Sequence, residues 1–171
     1  DLNKTKTFLS TQVKKTIVLN IHQSRNIIPG DDNGLSDPYV EVKIQSQKKY
    51  TSVRYETANG IWNESLIFNG LDFEINDTKT WPVAFVQVWD KDLISSESLG
   101  FNYVWITDLR YKVNSLDSII PVWINLHLPK SNRKQGQLLI SFNIIEEDKS
   151  DLISKIPSLD ISPKTELYNF E

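Results

Sequence analysis

From Lys14 onward, apolar residues recur at every second position in short runs. Ile17, Leu19 and Ile21 alternate with Val18, Asn20 and His22, and Val40, Val42 and Ile44 alternate with Glu41 and Lys43. A period of two marks a strand with one face turned to a core and the other to water. The same reading predicts strands over Tyr50–Tyr55, Ser65–Phe68 (after the Asn59-Gly60 turn), Val83–Trp89, Phe101–Ile106, Trp123–Leu126 and Gln137–Ile145. Val83–Trp89 is the most apolar of these and is expected to be central. Turn residues separate the runs, most densely at Pro29-Gly30-Asp31-Asp32-Asn33-Gly34. Leu109–Leu116 has room for a short turn, and no stretch carries the spacing of a long amphipathic helix. Roughly eight short strands with turns between them predict an all-β antiparallel sandwich.

The flanks have a different texture. Residues 1–13 are polar and rich in Thr and Lys, and read as an arm; residues 14–147 form the sandwich. Residues 148–171 read as a tail or linker, with Pro157 and Pro163. Its apolar set, Leu152, Ile153, Ile156, Leu159 and Ile161, is suited to docking on the sandwich or on a protein partner.

Composition narrows the chemistry. A length of 171 residues fits one domain with tails. A formal net charge of −3 argues against a nucleic-acid binder driven by bulk charge. The absence of Cys excludes disulfides, thiolate catalysis and thiolate zinc sites, and two His, at 22 and 127, leave little for a histidine-based metal site. No apolar run approaches the roughly 18 residues of a membrane-spanning helix. The chain opens on Asp1 and contains no Met, so a processed piece is expected.

What remains is acidic. One cluster runs Asp31-Asp32-Asn33-Gly34-Leu35-Ser36-Asp37, just before the strand that begins at Tyr39. The other runs Asp90-Lys91-Asp92-Leu93-Ile94-Ser95-Ser96-Glu97, just after the strand that ends at Trp89. Either alone reads as an ordinary turn. Placed together at one end of a sandwich, they gather four or five carboxylates. Like charges so placed repel unless a cation fills the space, and hard cations such as calcium take oxygen ligands of this kind.

The two clusters lie within a longer ordered pattern. Gly34-Leu35-Ser36-Asp37-Pro38-Tyr39-Val40, then Trp62-Asn63-Glu64 with Phe68, then Val88-Trp89-Asp90-Lys91-Asp92 with Leu99-Gly100, and finally Trp123, Leu126 and Gly136-Gln137 follow in sequence. From about Lys14 to Glu147 the chain resembles a C2 domain, the calcium- and phospholipid-binding module of protein kinase C, synaptotagmins and ferlins. The resemblance implies an eight-stranded Greek-key sandwich. The early Lys14 strand and the late Gly136 strand favour the circularly permuted order of ferlin-like and phospholipase-like members.

The resemblance also implies ligands for calcium, with two ions expected: Asp31 and Asp37 from the first loop, Asp90 and Asp92 from the third, and Glu97 as the fifth. The third loop is one residue shorter than the common pattern, so Ser95 and Ser98 stand as weaker alternatives to Glu97. Backbone carbonyls near Asp32 and Lys91 would complete the coordination. The second loop carries Asn59-Gly60-Ile61 where the family usually has Asn-Pro-x.

Leu35, Leu93 and Ile94 are the expected membrane-inserting residues, and Lys43, Lys48, Lys49 and Arg54 a basic stretch for anionic lipid. The implied function is calcium-dependent docking on anionic phospholipid membranes, on the cytoplasmic side, targeting a longer parent protein in trafficking, exocytosis or lipid signalling. A calcium-independent protein-interaction module is the first alternative. The membrane-attachment part of a secreted pore-forming protein is the second, the one setting in which the sequons at Asn3, Asn63 and Asn76 would matter. No nucleophile elbow, P-loop or dinucleotide fingerprint is present, so no catalysis is expected. His22 is expected to be structural.

Overall fold

The computed structural model describes residues 11–29, 34–92, 94–117, 119–128 and 134–156. Nine strands are found among them: β1 (Gln12–Arg25), β2 (Pro38–Ile44), β3 (Gln47–Tyr50), β4 (Ile61–Glu74), β5 (Val83–Lys91), β6 (Ser96–Trp105), β7 (Tyr111–Val113), β8 (Val122–His127) and β9 (Lys134–Glu146). Short 3-10 turns cover Thr78–Thr80, Ile106–Asp108 and Glu147–Lys155.

Hydrogen-bonded neighbours run β3-β2-β5-β6-β8-β9-β1-β4, with the short β7 pairing β9. The run divides into two halves, β3-β2-β5-β6 and β8-β9-β1-β4. A single pair, Phe101 with His127, joins them across β6 and β8. The first strand of the chain is therefore internal, held between β4 and the last strand β9. This is the order expected of the permuted sandwich. At the far ends of the path, glutamines close the remaining gap. Gln45 Nε2 donates to the Asp72 carbonyl at 3.0 Å, Asp72 N–H donates to Gln45 Oε1 at 3.1 Å, and Gln47 Nε2 donates to the Asn69 carbonyl.

The core lies between the halves. Val40, Val42 and Ile44 of β2 and Ala84, Val86 and Val88 of β5 are fully buried against Ile17, Leu19, Ile21, Phe68, Leu138, Ile140 and Phe142. Alternation of this kind is what two antiparallel half-sheets need to fill one interior. On β4 the buried positions are 62, 64, 66 and 68, then 71 and 73. The phase changes where the register with β1 slips between Lys15 and Ile17. Gly70 sits in that slip with φ +62°, a backbone angle suited to glycine.

Two strand expectations are corrected. The run predicted over Tyr50–Tyr55 is a strand only over Gln47–Tyr50. Val40 N–H donates to the Thr51 hydroxyl at 2.9 Å, where a regular ladder would use a carbonyl, and Thr51, Ser52 and Val53 are buried in succession. The hydroxyl replaces the ladder bond and the alternation ends there. In 109–116, where a short turn was expected, Tyr111–Val113 adds to the edge of the sheet as β7, parallel to β9.

Candidate metal centre and membrane face

Antiparallel pairing of β2 with β5 sets Pro38 opposite Asp90. That register brings the ends of the first and third loops together. Asp37 N–H donates to Asp90 Oδ1 at 2.7 Å, and Lys91 N–H donates to the Asp37 carbonyl at 3.0 Å. Asp37 is held from a second side by Glu56 N–H, which donates to Asp37 Oδ1 at 2.7 Å. Asp90 is buried, with 2% of its surface exposed.

The third loop is the β5–β6 hairpin. Asp90 pairs with Glu97 and Lys91 with Ser96, and Asp92 N–H donates to the Ser95 carbonyl at 2.9 Å. Residues directly opposite in a ladder share a face, so Glu97 stands on the Asp90 side. Ser98 pairs with Trp89 on the other side, and its hydroxyl accepts from Gln87 Nε2 at 2.7 Å. Asp92, Ser95 and Glu97 are exposed. Asp31 and Asp32 lie outside the described residues. Among the described residues, no three His, Asp or Glu side chains come close enough to share an ion. The described portion is thus the Asp37–Asp90 pair, with Asp92 and Glu97 on the hairpin beside it. Anionic oxygens of this kind are the donors a hard cation prefers.

The same end of the sandwich carries apolar side chains in water. Ile94, at the hairpin tip, is 99% exposed, and Leu35, two residues before Asp37, is 38% exposed. Leu93 lies outside the described residues. Before the first loop, Ile28 is exposed, whereas Ile27 packs in the core.

The basic stretch does not form one face. Lys43 and Lys48 are cross-strand partners, whereas Lys49 pairs with Val42 and so lies on the opposite side. Lys48 is 3.7 Å from Glu41. Arg54 is turned inward: Nη2 lies 3.2 Å from Glu64 Oε1, Nε donates to the Ile61 carbonyl at 2.7 Å, and Nη1 donates to Ser52 Oγ at 2.7 Å. Nearby, burial raises the Tyr39 hydroxyl above the usual tyrosine range. A hydrogen bond to Ser96 opposes that effect, and Glu41 and Tyr50 add to it. Tyr50 is raised as well, by burial and then by Glu41.

Sequence reasoning assigned no role to Ser52, Glu56 or Glu64. Glu64 occupies a buried position of an alternating strand, an acid where an apolar residue is expected, and that was the available signal. His22 meets Ser141 Oγ through Nε2 at 2.9 Å, within a polar network with Asn20, Asn143 and Ser65. No described helix is long and apolar enough to cross a membrane.

The family model for the C2 domain matches residues 15–126. The chain belongs to the C2 domain family. It is 26% identical over 151 residues to Myoferlin of Xenopus tropicalis, covering 86% of this chain and 8% of that protein. It is 31% identical over 152 residues to Protein piccolo of Mus musculus, covering 80% of this chain and 3% of that protein. Over 69 residues it is 38% identical to Protein QUIRKY of Arabidopsis thaliana, covering 40% of this chain and 6% of that protein. The C2 domain described here thus spans less than a tenth of the length of these relatives.

Among solved structures, a C2 domain of plant Extended Synaptotagmin 1 superposes with a TM-score of 0.59 at 20% identity, covering 77% of this chain and 94% of that one. Human GIVD cytosolic phospholipase A2 superposes with a TM-score of 0.57 at 15% identity, over 78% of this chain and 17% of the enzyme. The calcium-bound pair of C2 domains from Extended-Synaptotagmin 2 gives 0.51 at 16% identity, over 76% of this chain and 42% of that one. These likenesses establish the fold.

Proposed function

We propose that this C2 domain docks its parent protein on anionic phospholipid membranes when calcium is present. The observation that carries the reading is the joining of two features at one end of the sandwich. Asp37 and Asp90 are bonded at the strand ends, and the β5–β6 hairpin beside them lifts Ile94 almost wholly into water. Asp37, Asp90 and Asp92, with Glu97 and the first-loop Asp31, are the residues that would hold the ion. Calcium bound there would supply positive charge and offer open coordination to a lipid phosphate.

The chain's own residues do the rest. Without a cation, the acidic loops repel an anionic surface and hold Ile94 and Leu35 away from it. With that charge neutralised, both side chains can enter the interface, where burial favours them. Lys43 and Lys48 share an outward face at the opposite end of β2 from these loops, so loop docking does not draw on them. The proposed role is binding, with no catalytic step. The setting is the cytoplasmic face of a membrane.

The test is co-sedimentation with vesicles of phosphatidylserine and phosphatidylcholine, with calcium or with chelator. Calcium-dependent sedimentation is expected for the native chain and is expected to be lost in Asp37→Asn. Equal binding in chelator would overturn the calcium dependence. A second reading, a calcium-independent interaction module, draws on the backbone N–H groups that Asp37 and Asp90 already accept from, which steady both carboxylates without an ion. It predicts no effect of Asp37→Asn on partner binding.

A further inference from the structure

We propose that Arg54 and Glu64 are positioning residues for Asp37, acting through the segment between β3 and β4. The inference rests on the reading above, in which Asp37 is a cation ligand. It reassigns Arg54 from a lipid contact to a brace behind the ion site.

The brace begins in the sandwich wall. Glu64 is buried on β4, with 5% of its surface exposed. Its Oε2 accepts from Ser52 N–H at 2.9 Å, and its Oε1 accepts from the Ser52 hydroxyl and from Arg54. A buried carboxylate without such partners would be strongly disfavoured, so the three bonds hold segment and strand together. Trp62 Nε1 adds a fourth tie, donating to the Ser52 carbonyl at 2.8 Å. The Arg54 guanidinium spans from Glu64 to the Ile61 carbonyl, which fixes the segment against the start of β4.

The segment then reaches the first loop. Arg54 N–H donates to the Pro38 carbonyl at 2.9 Å, and Thr57 N–H donates to the Ser36 carbonyl at 2.9 Å. Between these two ties lies Glu56, with φ +50°, a conformation that a non-glycine residue adopts only when its surroundings impose it. In that conformation the Glu56 N–H bonds Asp37 Oδ1 at 2.7 Å. The carboxylate is thereby aimed by a backbone group whose own position depends on Arg54. Groups that orient a metal ligand in this way typically change metal affinity by roughly 10- to 100-fold when removed.

The experiment compares the native chain with Arg54→Ala, Arg54→Lys, Glu64→Gln and Asp37→Asn. Three quantities are read: calcium affinity by calorimetry without lipid, binding to phosphatidylserine vesicles at saturating calcium, and the Glu56 amide resonance without calcium. Arg54→Ala should weaken calcium binding by roughly 10- to 100-fold. It should also move the Glu56 resonance toward its position in Asp37→Asn, and vesicle binding should return once calcium saturates. Arg54→Lys, unable to span three acceptors with one planar group, should fall between the two.

An unchanged affinity and an unmoved Glu56 resonance would overturn the proposal. So would lost vesicle binding with calcium affinity intact, because that pattern marks Arg54 as a lipid contact. If Arg54→Ala does not fold, Arg54→Lys and Glu64→Gln are read on the same criteria. If the native chain binds no calcium, the preceding functional reading falls, and the Glu56 resonance alone decides whether Arg54 positions Asp37.

Discussion

Replacing Ile94 by Ser should separate membrane binding from folding. The side chain is 99% exposed at the tip of the β5–β6 hairpin, so its removal takes no contact from the folded state. Stability should therefore change by no more than about 0.5 kcal/mol. On the membrane the balance differs. Full burial of an aliphatic side chain of this size favours the bound state by about 1.5–3 kcal/mol. Because each 1.4 kcal/mol is tenfold in affinity, the loss should be roughly 10- to 150-fold. The assay is titration of phosphatidylserine vesicles into the chain at saturating calcium, read by energy transfer from its tryptophans. Thermal unfolding without lipid, on the same samples, reports the fold. Vesicle affinity within about threefold of native would refute the insertion argument, since that change falls short of the smallest burial energy given above. A fall of several degrees in Tm would show instead that Ile94 packs against the loop.

Two further expectations concern stability. Gly136 has φ +87°, and a Cβ there would lie 2.5 Å from the Asn26 carbonyl oxygen and 2.6 Å from that of Arg25. Gly136→Ala should therefore cost about 2–5 kcal/mol from backbone strain and overpacking together, lowering the urea midpoint followed by tryptophan fluorescence; an unchanged midpoint would contradict it. Tyr39 and Tyr50 titrate above the usual tyrosine range, chiefly through burial. The unfolded chain then releases its phenolic protons first, so their contribution is complete below about pH 10 and is lost as pH rises through the folded-state values. Urea midpoints taken between about pH 9 and 11 should decline, and Tyr39→Phe should flatten the decline; a parallel decline in the variant would exclude Tyr39 as a source.

Much of the sandwich was readable because β2 alternates without a break and β5 is a nearly continuous apolar run. Val40, Val42 and Ile44 face Val86 and its neighbours in a register that the acidic loops then inherit. The departures have local causes. Thr51 lends its hydroxyl to the ladder and ends β3 early, which no count of apolar positions reveals. Tyr111–Val113 is too short to carry a period of its own, and its parallel partner is decided by tertiary packing. At the candidate site, the strand pattern placed Asp37 just before β2, as found, whereas Asp90, expected just after its strand, lies inside β5. The pattern could not say that Arg54 would turn inward, because a lysine- and arginine-rich strand looks the same whether its cations face lipid or a buried acid. Glu64, the acid in question, lies one residue before the run predicted at Ser65–Phe68, and its burial in phase with Trp62, Leu66 and Phe68 is seen in the structure.

The glutamine bonds between the β2–β3 turn and β4 bear on a different matter, the company this domain keeps. An unpaired strand edge is a template on which another chain can assemble. Here the two outermost strands of the path meet, and Gln45 and Gln47 occupy backbone groups of Asp72 and Asn69 that such a chain would need. Copies of this sandwich brought close together thus find that seam already closed to strand exchange. Gln45→Ala with Gln47→Ala would be the change that reopens that seam.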